Sequence, residues 1–511
     1  MPKLIYIDEP ALLFNFDQPM LDPRDGLSLF GPLDKAKPEG IRWAVIGPKE
    51  SIGRMKRWVG KVQRPVISGD NLTARPPFPG FEAAFNTLWS PNPVLVREVP
   101  EDELREYAYG SDKYQRVYRT VYMYSNGIKS ALRTEDVTPD VWCVVIPEYI
   151  YRNCRPKSII PPDLRVYPNA AMSMETARKR YEEPSLPLLP EDSELNKLAE
   201  QYLYEVDFHN QLKARLLHSL APTQVIRETT IAHREFTNAF GRPTRNLDDL
   251  ESTIAWNIST AIFYKAGGRP WKLGAAREGV CYIGLVFKRD ERDRDPKTAC
   301  CGAQMFLDSG DGVVFKGAVG PWYRGKRGEF HLDRSSAKEV VRMCIDEYSR
   351  RNDGMLPREL FIHGQVAFDD EEWAGFQEGM EEDAKVIGVR IRLVSGFKLY
   401  RTKTHPVLRG IGCIIDERKG FLWTKGMIPR LRTYPGREVP KPVLVDVCRG
   451  EADIHTVMAD ILALTKLNYN TCIYADGLPV TLRFANAVGE ILTAGPARKL
   501  DVPPLPFKYY I

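Results

Sequence analysis

The sequence predicts an α/β protein. Three observations point to this class: short apolar runs alternate with stretches of helical periodicity, one run is apolar at every position, and no repeat or low-complexity tract interrupts the alternation. With 511 residues and 43% hydrophobic content, the chain has material for roughly two to four packed domains.

Leu4 to Ile7 and Trp43 to Ile46 read as strands, the second followed by Gly47-Pro48 and a helix from Glu50 through Val62. Val141 to Ile146 (VWCVVI), stopped by Pro147, reads as a fully buried central strand. The Pro-rich stretch from Arg155 to Pro190 predicts a long, weakly ordered surface excursion. A helix is expected over Asp192 to His218, then a strand over Thr223 to Ile226. A second helix follows, capped by Asn246, with Leu247, Leu250, Ile254, Ile258 and Ile262 on one face and Gly267-Gly268 at its end. This alternation, from about 120 to 275, describes a Rossmann-like unit: a mostly parallel sheet with helices outside, a fold that binds phosphates at its strand ends.

After Gly279 the pattern changes. VCYIGLVFKRD and AQMFLDSGDGVVFKG form strands around the turn signal Ser309-Gly310-Asp311-Gly312. A helix over Ser335 to Arg350, a strand over Glu359 to His363, a helix over Asp370 to Ala384 and a strand over Val389 to Val394 follow. Hairpins leading into alternating strands and helices suggest a ribonuclease H-like layer.

Composition narrows the function classes. No apolar run reaches the roughly 18 residues of a membrane span, and MPKLIYIDEP lacks the pattern of a signal peptide, so a cytoplasmic protein without membrane contact is expected. Nine cysteines without a CxxC pair fit neither a disulfide framework nor a zinc ribbon. A net charge of +5 permits nucleic acid without demanding it.

His209-x-x-x-Lys213 is the most informative local constellation, because residues four apart share a helix face and can address one anion together. Gln224 begins the next strand, and Lys265 precedes the Gly-Gly turn, so these four residues are candidates to converge at strand ends. A solvated helix face beside Asp207 is the plain alternative for an isolated pair.

FHNQLKARLL, PTQVIRE and IFYKAGGRPW, in that order, resemble the MID domain of Argonaute proteins. PRDGLSLFGPLD, LTKLNYN and LPVTLRFA extend the resemblance to nearly the whole chain. The resemblance implies that His209, Lys213, Gln224 and Lys265 bind the 5′ phosphate of a guide, and that the carboxylate of Ile511 helps to hold Mg2+ against it. It also implies three divisions: residues 1–120 leading into the core, a MID domain over 121–275, and a ribonuclease H-like PIWI domain over 276–511. Tyr151 and Arg155, after the Val141 strand, are candidates to contact the first guide base, a helix-start role being the alternative.

Slicing Argonautes bind two cations through an acidic tetrad. Val286 stands where the first aspartate is expected, Gly364 in the second position, and Asn486 in the last. The expected reading is therefore a protein without nuclease activity of its own. Asp290, Glu329 and Asp476 are the acids to test if the alignment is misplaced. Asp308 and Asp311 are better explained by a hairpin turn, Asp369 and Asp370 by a helix N-terminus, and Cys300-Cys301 as vicinal thiols poorly placed for a disulfide.

Long Argonautes carry N-terminal and PAZ domains for which 511 residues leave no room, so the similarity is to short prokaryotic members. LIYIDEP, PGFEA, HREFTNAFG and GEADI are similar to those that pair with a TIR-APAZ protein. This resemblance implies a guide RNA, a single-stranded DNA target, and a heterodimeric effector that oligomerises on target binding and depletes NAD in abortive antiviral defence. Nuclease-APAZ and sirtuin-like APAZ partners are the alternatives within the family. Outside it stand an active guided nuclease and a phosphate-binding scaffold.

Overall fold

The computed structural model describes residues 2–34, 37–184, 190–274, 277–289, 298–306, 312–320, 330–380, 384–402, 404–496 and 504–511. Two sheets organise the chain. The smaller has four parallel strands in the order Leu95–Glu98, Trp43–Gly47, Val141–Ile146 and Thr223–Arg227. As the apolar run predicts, Val141–Ile146 is buried throughout and lies inside the sheet.

Strand alternation divides this sheet between two cores. Ala44, Ile46, Trp142 and Val144 face the helices Lys113–Thr134 and Phe208–Leu216. Trp43, Val45, Cys143 and Val145 face the helices Lys49–Lys61 and Glu251–Lys265. The division expected at residue 120 does not coincide with a sheet boundary, because strands from both sides of it pair in one sheet.

The larger sheet has ten strands. At its centre Glu359–Gly364 runs parallel to Val280–Arg289 on one side and to Lys385–Leu393 on the other. Thr298–Phe306 and Gly312–Gly320 extend it antiparallel beyond Val280–Arg289. Three antiparallel strands, the helix Arg334–Arg351, the parallel strand Glu359–Gly364, the helix Asp370–Glu378 and the fifth strand Lys385–Leu393, in that sequence, give the ribonuclease H-like order. The turn residues Asp308 and Asp311 lie outside the described residues.

One face of this sheet packs Cys281, Ile283, Leu360 and Ile362 on the helix Arg334–Arg351. The other face, through Tyr282 and Phe361, joins the same core that lies under the smaller sheet, so one apolar mass runs between the two units. The strand Lys3–Tyr6 pairs with Ile411–Asp416 at the far edge, fastening the chain start to the larger sheet. Behind it, buried Arg409 donates through Nε to Glu9 at 2.9 Å, and buried Lys466 pairs with Glu9 at 3.0 Å.

Several expectations are corrected. The helix expected over Asp192 to His218 is two helices, Pro190–Gln201 and Phe208–Leu216, because Asp207 caps a new N-terminus by accepting from Asn210 N at 3.0 Å. Asn246 does not cap the later helix: a 3-10 turn over Asp248–Leu250 leads into Glu251–Lys265. Gly267 (φ +95°) does end it. The excursion after Arg155 carries the helix Met174–Glu182, capped by Ser173.

The helix Val480–Leu492 lies directly on the central strand Val280–Arg289. A Cβ on Gly284 would stand 2.0 Å from the Thr481 carbonyl oxygen, a backbone atom that no rotamer change moves aside. Gly284→Ala is therefore expected to destabilise the chain by about 3 kcal/mol in urea unfolding. A change below about 0.5 kcal/mol would show that the helix seating is loose.

Candidate functional site: a buried lysine pair between the two sheets

The helix Phe208–Leu216 buries Phe208, Leu212 and Leu216, which turns His209 and Lys213 toward the start of the edge strand Thr223–Arg227. Lys213 is buried. Its ammonium donates to the main-chain oxygen of Thr223 at 2.6 Å and to that of Ile511 at 2.8 Å. Ile511 itself sits in the shared core with Phe507 and Tyr510.

Lys265 enters from the last turn of the helix Glu251–Lys265 and is equally buried. It donates to Gln224 Oε1 at 2.5 Å and Asn470 Oδ1 at 3.1 Å. Asn470 is held by its own loop: its N–H donates to Asn468 Oδ1, and Asn468 donates to Asp476. The structure thus brings His209, Lys213, Gln224, Lys265 and Ile511 to one place, at the amino end of the edge strand and against the second unit, away from the carboxyl ends of the sheet.

Sequence reasoning missed Asn470 and Thr223. Asn470 belongs to the LTKLNYN stretch already singled out, but its role depends on a loop packed 205 residues away from Lys265. The Thr223 hydroxyl is buried beside Lys213 with no hydrogen-bond partner.

Among the described residues, no acidic side chain pairs with Lys213 or Lys265; their acceptors are side-chain amides and main-chain oxygens. Burial alone pulls Lys213 down to about 7. Lys265 lies well below the ordinary lysine range, through burial first and then the neighbouring Lys213 charge. His209 is exposed at the rim of a crowded hollow; desolvation, followed by Lys213, moves it down to about 4. At neutral pH the site is a polar recess with excess cationic capacity, suited to an oxyanion that would pull protons back onto these groups.

Tyr151 and Arg155 lie toward the carboxyl end of the sheet, beside Arg227, the last residue of the edge strand. The Arg227 guanidinium stands 3.3 Å from the Tyr151 ring centroid and Arg155 stands 4.5 Å from it, while Arg227 also pairs with Glu148 at 2.8 Å. Arg155 acts electrostatically on Asp207, the residue that caps the helix carrying His209 and Lys213.

In the larger sheet, Gly364 is registered with Leu285, one residue before Val286 on the adjacent parallel strand. Neither residue type offers a metal ligand. A Cβ on Gly364 would meet the Phe368 ring at 3.0 Å, so an acid there would have to displace that ring. Asn486 lies on the helix Val480–Leu492, which packs against the same strand. Asp290 and Glu329 lie outside the described residues. Asp476 is buried and paired with Arg483. Asp369 caps the helix Asp370–Glu378 by accepting from Glu372 N at 2.8 Å, and Asp370 pairs with Arg449.

Two His-acid triads have their ligand atoms close together, but internal partners account for them. His331 and Leu332 N hold Glu372, while Arg234 and Lys61 hold Asp248 and Glu251.

Comparison with solved structures agrees with this architecture over the whole chain. Clostridium butyricum Argonaute bound to a guide DNA and a 19-mer target DNA superposes with a TM-score of 0.59 at 14% identity, over 100% of this chain and 55% of that one. The fold is Argonaute-like. Drosophila Piwi gives a TM-score of 0.58 at 12% identity, over 99% of this chain and 56% of that one. Aa-Ago with externally bound siRNA gives 0.55 at 13%, over 99% and 56%. This Argonaute-like chain spans little more than half the length of these proteins. No protein-family model matches the sequence, and no curated protein matches it. Among the described residues, no helix is long and apolar enough to cross a membrane.

The depressed Lys213 pKa has a measurable sign. Between pH 7 and the unfolded value of 10.5 the unfolded chain binds the extra proton, so ligand-free stability rises with pH across that window. Urea unfolding at pH 7.5 and 9.5 is expected to show a larger gain for wild type than for Lys213→Met, by about 1.4 kcal/mol per pH unit at most. Equal gains would place the Lys213 ammonium in water.

Proposed function

We propose that this chain is a guide-directed recognition protein of the short prokaryotic Argonaute type, which anchors the 5′ phosphate of a guide RNA and pairs it with single-stranded DNA without cutting. The observation that carries this reading is the buried Lys213–Lys265 pair, with neutral oxygens as acceptors and His209 at its rim. Two buried ammonium groups without a carboxylate side chain are costly in the free protein, and a terminal phosphate supplies the missing charge.

The other groups follow from the same chemistry. His209 and Gln224 complete the donor set around the phosphate. The oxygens at Ile511, Gln224 and Asn470, which accept from the two lysines, are hard ligands of the kind Mg2+ takes, and a terminal carboxylate on Ile511 would place a second anion beside the phosphate. A cation held there would screen two like charges. Tyr151, backed by Arg155 and Arg227, offers a polarised ring for the first guide base.

The absence of cutting is proposed from Val286 and Gly364 on neighbouring strands, with Asn486 on the helix above them. In this reading the chemistry resides in a partner. The segments similar to TIR-associated members favour an APAZ protein carrying a TIR NAD hydrolase, which assembles on target binding, depletes NAD and aborts infection in the cytoplasm. A nuclease-APAZ or sirtuin-like partner would use the same guide module.

Three outcomes are expected. The chain purified with its partner should carry short 5′-phosphorylated RNA, detected by end-labelling, and Lys213→Ala plus Lys265→Ala should lose it. Each lysine should contribute about 10- to 100-fold to the preference for a 5′-phosphate over a 5′-hydroxyl guide, corresponding to about 1.5–3 kcal/mol per charged hydrogen bond. Equal RNA in wild type and double variant would sink the site assignment.

Because Lys213 must be protonated to hold the phosphate, affinity for a 5′-phosphorylated guide should fall as pH rises above 7, and Lys213→Ala should flatten that profile. A guide-loaded chain given complementary single-stranded DNA and Mg2+ should leave the target intact; Mg2+-dependent cleavage lost on chelation would instead establish an active nuclease.

A further inference from the structure

A second basic recess lies on the outer side of the smaller unit, between the helices Lys113–Thr134 and Phe208–Leu216, and has a volume of about 340 Å3. Arg215 forms part of its wall. Being two residues from Lys213, it points to the opposite side of its helix, away from the buried lysine pair.

The Arg215 guanidinium carbon is 3.8 Å from the Tyr118 ring centroid and 4.5 Å from that of Tyr204. Those rings meet edge to face, with centroids 5.4 Å apart, and form an aromatic corner around the cation. Arg215 Nε and Nη2 are shut off from water and have no hydrogen-bond partner. In this protein that same edge of an arginine holds carboxylates side-on: Arg24 grips Asp22 at 2.9 and 2.7 Å, and Arg430 grips Asp25 at 2.5 and 2.6 Å. At Arg215 the same edge meets no acceptor among the described residues, and a bidentate oxyanion would satisfy it.

The rest of the recess matches a phosphate carried on an aromatic body. Lys129 and His218 add basic groups to its wall, against the single acid Glu200. Tyr122 is half exposed and presents a ring on which a base can stack. The volume suits one nucleotide.

We propose that this recess is a nucleotide-phosphate site separate from the guide anchor, with Arg215 gripping the phosphate, Lys129 and His218 at its mouth, and Tyr122 under the base. Entry requires the Tyr118 and Tyr204 rings that stack on the guanidinium to move aside, since the fork itself is shut off from water. The nucleotide is either free in solution or part of a strand, and the same phosphate chemistry serves both.

The test uses the full chain carrying Lys213→Ala and Lys265→Ala, so that the guide anchor is silent and its failure cannot be confused with failure here. Isothermal titration with AMP reads the free nucleotide, and titration with a 5′-hydroxyl single-stranded oligonucleotide reads the strand. Saturable one-to-one binding of either supports the site and names its source. Arg215→Met should then weaken binding by about 10- to 100-fold. Lys129→Ala, an exterior change that leaves the aromatic corner intact, should weaken it about three- to tenfold, and unchanged thermal unfolding should show that the variant is folded. Absence of binding by both probes, or equal affinity in the Lys129→Ala and Arg215→Met proteins, would overturn the proposal.

Discussion

Two ammonium groups buried between two sheets, with no acidic side chain among the described residues to neutralise them, are the constraint around which this molecule is arranged. Lys213 comes from one helix of the smaller unit and Lys265 from another, while their acceptors include Ile511 and Asn470 from the C-terminal part of the chain. Neither unit alone completes the recess. A folded chain that leaves charge in this state carries a standing electrostatic cost, and burial lowers both lysine pKa values in consequence. An arrangement of this kind is stable enough to exist only because the surrounding core is large.

That core explains how the recess is held. One continuous apolar mass contains Val141 and Cys143 of the smaller sheet, Tyr282 and Phe361 of the larger, and Phe507, Tyr510 and Ile511 of the final segment. Because the packing is shared, the relative position of the two sheets is fixed at side-chain precision, and so is the spacing between Lys213 and the Ile511 oxygen. The Glu9–Arg409–Lys466 cluster fastens the first residues to the same body.

The larger sheet has the ribonuclease H-like strand order. Gly364 is registered with Leu285 and lies against Phe368, and buried His363 donates to or accepts from Thr481 at 2.9 Å, its Nε2 meeting no partner among the described residues. Desolvation moves His363 down to about 3, so it is neutral across the working range. Apolar packing and a neutral imidazole therefore lie at the centre of this sheet.

The sequence by itself determined the α/β class, the buried central strand Val141–Ile146, the strands and helices after Gly279, and the identity of His209, Lys213, Gln224 and Lys265. Each of these follows from local periodicity, capping or a short motif, which the chain carries within a few residues. Tertiary structure decided the rest. That the strand Trp43–Gly47 joins Val141–Ile146 across the division expected at residue 120 depends on pairing nearly a hundred residues apart. Asp207 began a second helix, six residues after the first had ended at Gln201, because its side chain met Asn210 N, a choice hidden inside a continuous helical periodicity. Asn470 and Thr223 entered the recess, and Arg215 found its aromatic corner, only when distant segments packed together. Oxygen acceptors and ring faces have no sequence spacing of their own, so what surrounds a lysine or an arginine is a property of the folded chain.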